Sequence, residues 1–447
     1  MPTLALEVND AGLLALRAGA PRPEPESPGL ALFEGEGVLV GAEAAARAFL
    51  SPRFVHDRFW EPLDKQPLRR PFPRRVTAAD LAHAQLVALV QGLRETPDEV
   101  LLAVPGFWKR EALGLLLSVA RAAGLPVKGM VDAAVAAAAV STRGERLLHL
   151  ELTRHRAVFT VLSRTHEITR TRVVDVEGLG ASAFERRLAE TVARRFVAET
   201  RFDPLHSGAA EQALYAALPG WLADLRRAEA CPASFTAGGR EHRIELTRGL
   251  LEEGAADLYG SLLEQARMLA PAGGGELLVS ARASRLPGLV DRLGALPGLQ
   301  VLELPRDATL VGTLRERDHI RHDGEALPFV TRLPVAGSRP ALPRREGQRP
   351  THLLNGGTAH LLAPEGLAIG TAPPPGGRGL GLRQEGVAPH HCSLRIADGE
   401  VLVEDHSGGA TLLNGAPVGA AAVLRAGDRL RLGPTVELVL IAAEEGA

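Results

Sequence analysis

The sequence predicts a multidomain protein, in which an α/β domain is joined by a linker to a C-terminal all-β sandwich. Three observations predict this class. The length of 447 residues is too great for a single hydrophobic core. Strands and amphipathic helices alternate up to about residue 335, whereas short apolar runs separated by Gly-rich turns follow residue 350. Residues 336–350 are rich in Pro, Arg and Gly and lack hydrophobic periodicity, as is typical of a linker. We therefore assign the domains to residues 1–335 and 351–447.

The α/β domain is predicted from individual elements. Thr77 is a candidate N-cap of a helix that carries Leu81, Leu86 and Leu89. The apolar run at 100–105 predicts a buried strand. Further helices are predicted over 111–123, 183–199 and 250–269, and further strands over 276–281 and 299–305.

One internal repeat stands out. Residues 4–19 and 148–164 each carry a Leu-x-Leu-Glu strand, a short turn and a second strand. Two copies of a β-hairpin, each opening an α/β segment, suggest a duplicated fold with a cleft between two lobes.

Composition excludes several classes. Hydrophobic and charged contents of 45% and 23% are those of an ordinary soluble protein, and a net charge of −2 disfavours nucleic-acid binding. No signal peptide and no membrane-spanning run is visible, so we expect a cytoplasmic protein, of bacterial type, without membrane insertion. Cys231 and Cys392 do not make a disulfide framework.

The C-terminal domain carries a recognisable motif. Its segments LAIGT, GVAPHHCSLRIADG and LRAGDRLRLG resemble a forkhead-associated (FHA) domain, a β-sandwich that reads phosphothreonine. The matching framework positions are Gly370, Val387, His391, Asp405, Ser407, Thr411, Asn414, Gly415, Gly427, Asp428 and Gly433. The resemblance implies an FHA-like fold and a protein partner.

The same resemblance indicates a degenerate phosphopeptide face. The family's phosphate-binding Arg and Ser fall on Thr371 and Ala388, and its peptide-binding Asn falls on Gly409. His391 matches the family's structural His. Without the Arg fork and the hydroxyl, a phosphate dianion loses its charge-assisted hydrogen bonds. We therefore predict no selective binding of phosphothreonine peptides.

Residues 1–335 resemble the nucleotide-binding domain of the 70-kDa heat-shock chaperones, within the actin-like ATPase superfamily. The segments that carry this resemblance are 103–125, 131–139, 178–196, 277–293 and 306–314, in the family's order. The resemblance implies an actin-like bilobed domain built from duplicated ribonuclease H-like lobes. It also implies that 131–139 and 306–314 are interlobe helices.

The positions that would bind ATP in such a domain are altered. Backbone N–H groups approach phosphates closely only where Gly permits it, and this chain has larger residues there. The altered positions are Glu7 and Asp10 in the first hairpin, Glu151, Arg154 and Arg156 in the second, Asp224, Arg227 and Cys231 near the base, and Ala281 and Arg282 at the adenosine Gly pair. Arg285 of that motif is retained, and Ala183 replaces an acid near the metal. Asp10 would place a carboxylate where a γ-phosphate belongs, while Arg154 and Arg156 could hold an anion.

Two further patterns bear on possible sites. His390-His391-Cys392 lacks the partners of a metal site, so no metal is expected. Residues 51–75 combine Phe59 and Trp60 with Arg69 and Arg70 among many prolines. Trp and Arg dominate binding hot spots, so this segment is a candidate partner-docking loop. The alternative is a loop packed across its own lobe.

Taken together, these patterns favour a catalytically degenerate, chaperone-like ATPase-fold protein. It would act as a protein–protein interaction scaffold, adaptor or assembly factor, through the FHA-like domain, the 51–75 loop or both. No cofactor is expected. Two alternatives stay open: a conformational switch that still binds ATP or ADP with Mg²⁺, and a signalling adaptor that reads phosphopeptides. No Walker A loop, catalytic triad or HExxH motif suggests another enzyme.

Overall fold

Residues 1–338 and 339–447 form separate units in the computed structural model of the protein. The structure describes residues 2–442, apart from residues 36, 62, 70, 74, 143, 238, 323, 325–326, 336–346, 356–357, 375–377, 398 and 434–435. Most of the predicted linker, and Arg70 of the predicted docking loop, therefore lie outside the described residues.

The N-terminal unit is built on two six-stranded sheets. The first sheet has the spatial order Phe329–Val330, Val127–Asp132, Glu99–Val104, Thr3–Glu7, Gly12–Arg17 and Ser27–Pro28. The second has the order Leu299–Glu303, Gly275–Val279, Arg146–Leu152, Arg156–Arg164, Glu167–Glu177 and Arg332–Pro334. In both sheets a hairpin pairs antiparallel, and two later strands extend it by parallel pairing. The two hairpins predicted from the Leu-x-Leu-Glu repeat thus occupy equivalent places.

Helices and small sheets complete a lobe around each large sheet. The first lobe adds the helices Gly41–Ala45, Ala78–Gly92 and Arg110–Ala122, a short 3₁₀ turn Pro52–Phe54, and a small sheet of Gly37–Val40, Ala31–Glu34 and Val55–His56. The second lobe adds the helices Ala181–Thr200, Gly208–Leu225, Arg248–Gly254, Ala256–Leu269, Ala281–Ser284 and Leu289–Gly294, and the hairpin Ala230–Ala237 with Arg240–Thr247. The short helix Arg317–Ile320 follows the helix Ala308–Arg315.

Two helices pack against each other between the sheets, Ala133–Ser141 and Ala308–Arg315. They share one core with Leu101 of the first sheet and Leu278 of the second. The helix backbones approach closely, because a Cβ built on Gly312 would lie 1.9 Å from the Ala136 carbonyl oxygen. Small residues on both helices therefore join the two lobes at their base.

Most predicted elements are present within one or two residues. Thr77 caps its helix as predicted, since its hydroxyl accepts from Asp80 N at 3.2 Å and its own N donates to Asp80 Oδ2 at 2.8 Å. The single helix predicted over 250–269 is wrong. The chain forms two helices there, Arg248–Gly254 and Ala256–Leu269. A Cβ on Gly254 would lie 2.3 Å from Thr191 Oγ1, so this break allows close packing on the neighbouring helix.

The C-terminal unit consists of two packed sheets, as predicted. One has the order Thr358–Leu361, His352–Asn355, Val436–Ile441, Arg429–Leu432, Thr411–Leu413 and Ala416–Pro417. The other has the order Gly379–Gly381, Leu367–Gly370, Cys392–Ala397, Glu400–Asp405 and Ala421–Leu424. Alternate residues of both sheets, among them Ile369, Leu394 and Leu438, fill the core between them.

Candidate functional site

The turns of the two large hairpins meet between the lobes. The first turn comprises residues 8–11 and the second comprises residues 153–155. The backbone N of Arg154 donates to Asp10 Oδ1 at 2.6 Å. The second turn is supported from below by Gly180, where a Cβ would lie 2.3 Å from Arg156 N. A carboxyl group of the first lobe therefore accepts a hydrogen bond from a backbone N–H of the second lobe.

A guanidinium fills the adjoining cleft, which we define by Glu7, Glu26, Glu151 and Arg282. Arg282 follows a strand end of the second lobe and reaches the first lobe. Its Nη1 lies 2.5 Å from Glu7 Oε1, and its Nη2 lies 2.9 Å from Glu26 Oε1. Its Nη2 also donates to the Gly12 carbonyl oxygen at 3.2 Å. Burial opposes the charge of Arg282, but the three carboxyl groups outweigh it and raise its pKa.

The carboxyl groups of the cleft differ in environment. Burial raises the pKa of Glu151 to about 7, the charge of Glu7 adds to this effect, and Arg282 opposes it. Glu151 Oε1 accepts hydrogen bonds from Ser280 Oγ and its neighbour Leu152 N, both at 2.9 Å. Burial by itself would also raise the pKa of Glu26. The positive charges of Arg282, Arg285 and Arg306 outweigh burial and lower that pKa. Glu26 lies in a loop and was not identified from the sequence.

Little space is left in the cleft. Its cavity has a volume of about 20 Å³ and is lined by Glu7, His149, Glu151, Arg282 and their neighbours. This volume accommodates about one water molecule, whereas ligand pockets span roughly 300–1,000 Å³. His149 Nδ1 has no hydrogen-bond partner among the described residues, and burial lowers the pKa of His149 to about 4. The imidazole is therefore neutral at pH 7.

The two arginines of the second hairpin are paired with carboxylates. Arg154 Nε lies 3.1 Å from Asp57 Oδ2. Arg156 binds Glu61, and its Nη1 lies 2.6 Å from Asp175 Oδ2. Their guanidinium groups are thus already paired in this conformation, and their predicted role in holding an anion stays a prediction.

The positions predicted to surround an adenine base do not converge. Asp224 and Arg227 are exposed at the end of the helix Gly208–Leu225, and neither lines the cavity. Cys231 is buried in the core of the second lobe. Arg285 does line the cavity, with Nη2 3.9 Å from Glu26 Oε2.

A further contact joins the two lobes, separate from that of the packed helices. The ring of Phe49 in the first lobe stacks on Tyr215 of the second, with centroids 3.9 Å apart. Gln212 accepts from Phe49 N and donates to the Ala45 carbonyl oxygen, both at 3.0 Å. The lobes are thus joined by three sets of contacts: the packed helices, the cleft residues and this aromatic pair.

The predicted docking loop places its aromatic residues in the core. Phe59 and Trp60 are 0% and 1% exposed, and Trp60 Nε1 donates to Gln85 Oε1 at 2.8 Å. Their predicted role as exposed anchors is therefore wrong, because the first lobe buries them under its helices. Arg69 is exposed, and so is Phe54, at 47%, a residue that the sequence pattern did not single out.

In the C-terminal unit, three loops meet at one end of the sandwich. Thr371 N donates to the Ala388 carbonyl oxygen at 3.0 Å, and Ala388 N donates to His391 Nδ1 at 3.0 Å. Gly409 N donates to Asp405 Oδ2 at 2.7 Å, and Gly409 has φ of +103°. His391 is fully buried and supports the loop from inside. The structure thus brings Thr371 next to Ala388, the two positions at which the resemblance expects an Arg and a Ser.

A model of the FHA domain family matches residues 378–433. The match includes Ala388, His391 and Gly409, and it begins after Thr371. No curated protein matches the chain. The comparisons give no support to the resemblance between residues 1–335 and the heat-shock chaperones, so that resemblance stays a prediction.

Two further findings concern the part of the chain that the structure describes. It contains no group of three or more His, Cys, Asp or Glu side chains placed to hold a metal ion. No helix there is long and apolar enough to cross a membrane.

Proposed function

We propose that this protein is a protein-interaction scaffold or adaptor, whose bilobed body keeps an actin-like, chaperone-like architecture without its nucleotide chemistry. The shared strand order of the two sheets supports this architecture. The pair of helices packed between the lobes supports it as well, because they coincide with the segments expected to join the lobes.

The observation that carries the proposal is the buried guanidinium of Arg282. Glu7 and Glu151 take the places of the family's acidic residues, and Arg282 takes the place of an adenosine-binding glycine. A cation of the chain itself therefore compensates the acids of the cleft. Asp10 likewise accepts a backbone N–H that would face a phosphate in the family. Under this proposal the two lobes stay closed without nucleotide or metal, and the N-terminal unit is a fixed platform for partner proteins.

Purified protein is expected to show no ATP hydrolysis and no thermal stabilisation by Mg²⁺-ATP. A ligand that binds only the native state stabilises it according to its concentration relative to Kd, so an unchanged Tm at millimolar ATP indicates weak or no binding. The companion variant Arg282→Gly opens the cleft and restores the family's residue. Saturable stabilisation of the wild-type protein, or turnover abolished by Glu151→Gln, would contradict the proposal and favour an ATP-driven switch.

The FHA domain supplies the second part of the proposal, because FHA domains bind protein partners and this one forms the family's sandwich. We expect its partner contacts to be independent of phosphothreonine, since Thr371 and Ala388 provide neither an Arg fork nor a phosphate-binding Ser. The family match itself favours a second candidate function, an adaptor that reads phosphopeptides.

A peptide array that pairs phosphorylated with unphosphorylated sequences separates these two candidates. The isolated wild-type domain is expected to bind both forms equally or neither. The matched control Thr371→Arg with Ala388→Ser restores two binding groups and is expected to gain phosphate selectivity. Gly409→Asn is left out of this control because φ of +103° strains a residue with a Cβ. A strong preference of the wild-type domain for phosphorylated peptides would contradict phosphate-independent binding.

A further inference from the structure

Two buried carboxyl groups near the meeting point of the hairpin turns are incompletely bonded. Asp10 Oδ2 and Glu61 Oε2 have no hydrogen-bond partner among the residues that the structure describes. Asp10 lies in the first turn, and Glu61 lies in the segment that runs beside the second turn. A buried carboxylate oxygen without a donor is unfavourable, by an amount comparable to a lost hydrogen bond or more.

The cations of this region are directed elsewhere. The guanidinium of Arg154 is bonded to Asp57, and only the backbone N of Arg154 reaches Asp10. The guanidinium of Arg156 is bonded to Glu61 Oε1, Asp175 and Glu177. His155 Nε2 bonds to the Asp57 carbonyl oxygen at 2.8 Å. Asp10 therefore has no side-chain cation as a bonding partner among the described residues.

The electrostatic environment of Asp10 also disfavours its ionised form. Burial raises the pKa of Asp10 to about 6, and the charge of Glu61 adds to the shift, while the Arg154 N–H and charge oppose it. The nearby Thr153 hydroxyl also favours the ionised form, but it donates to the Arg156 carbonyl oxygen at 3.3 Å. Burial of a negative charge thus outweighs the groups that would stabilise it.

We propose that the Asp10 carboxyl group of the folded protein holds a proton in mildly acidic solution, and that release of this proton as the solution becomes neutral weakens the junction of the two hairpin turns. The proton removes a buried negative charge that no side-chain cation among the described residues is bonded to. The closed arrangement of the lobes is then a pH-sensitive state. The nucleotide chemistry of the cleft does not enter this inference.

Linkage fixes the sign of the effect. The pKa of Asp10 is higher in the folded state than its ordinary value of 3.8, so the contribution of the proton to stability is complete below pH 4. It is lost as pH rises through about 6. Relative to a variant that cannot ionise, the unfolding equilibrium constant of the wild-type protein is expected to rise roughly 100-fold between pH 4 and pH 8.

The test compares denaturant unfolding of the full chain with that of Asp10→Asn across this pH range. The Asn side chain accepts from Arg154 N and stays uncharged at every pH, so the variant is expected to equal the wild-type protein in acid and exceed it at pH 8. Backbone amides of residues 8–11 and 153–155 are expected to exchange more slowly in the variant at pH 8. Asp175→Asn, which removes a partly exposed carboxylate of the same cluster, is the matched control and is expected to lack this pH-dependent difference.

Glu61→Gln gives an independent reading. It removes the neighbouring negative charge, so the pH of the transition is expected to move toward acid. The infrared difference spectrum between the wild-type protein and Asp10→Asn at pH 5 is expected to contain the band of one protonated carboxylic acid, which locates the proton directly. The inference is overturned if Asp10→Asn is less stable than the wild-type protein at every pH, or if their difference does not change with pH.

Discussion

Replacing Arg282 with Ala is expected to destabilise the N-terminal unit by about 3–5 kcal/mol, the usual range when one partner of a buried ion pair is removed. The variant leaves Glu7, Glu26 and Glu151 facing one another without their shared cation. The loss should be larger at pH 8 than at pH 6, because burial raises the pKa of Glu151 and a proton on it relieves the repulsion in acid. Denaturant unfolding at both pH values measures this loss.

Chemical rescue makes the test specific. Millimolar guanidinium, well below denaturing concentrations, is expected to restore part of the stability of Arg282→Ala, because it fits the cavity left by the side chain. The matched control is Arg292→Ala. Arg292 binds the single carboxylate Glu252 at 2.5 Å and lies over the Tyr259 ring, within the second lobe. If Arg282→Ala is no less stable than Arg292→Ala, or if guanidinium acts on both alike, the guanidinium of Arg282 does not hold the cleft closed.

Replacing Trp60 with Ala is expected to destabilise the first lobe by about 3–5 kcal/mol, as for other fully buried aromatic residues. The variant removes a ring that packs near Phe59 and Trp108, with centroids 5.8 Å and 6.4 Å away. It also leaves Gln85 Oε1 without its donor. Gln85 in turn donates to Ser27 and Pro28, so the loss extends to the edge of the first sheet.

Thermal unfolding of a short series separates packing from hydrogen bonding. Trp60→Phe keeps most of the ring volume and loses only the Nε1–H bond, with an expected loss of about 1–3 kcal/mol. Arg69→Ala, at an exposed position of the same segment, is expected to change stability by less than about 0.5 kcal/mol. An unchanged Tm for Trp60→Ala would indicate that the Trp60 ring is exposed, and would again favour the docking-loop hypothesis.

Local patterns predicted the elements of the fold well. The Leu-x-Leu-Glu repeat located both large hairpins, and Thr77 with Asp80 marked a helix start, because these signals involve residues a few positions apart. The Gly-rich turns and framework residues of the C-terminal unit likewise predicted its sandwich. The helix break at Gly254 was missed, because it depends on how closely Thr191 of another helix approaches.

The candidate sites show the same contrast between local sequence patterns and contacts between distant segments. By itself, the sequence predicted that the positions expected to bind phosphate in an FHA-like domain are replaced, and that Glu7, Asp10, Glu151 and Arg282 stand where a chaperone-like domain would have glycines or other residues. It could not determine what those replacements do, because Glu7 and Arg282 are 275 positions apart and no periodicity relates them. Nor could it show that the aromatic residues at 59–60 are buried, since a Pro-rich segment with Trp and Arg is compatible with either a surface loop or a packed one. Only the tertiary structure decided these points, because charge pairing and burial depend on which distant segments meet in space.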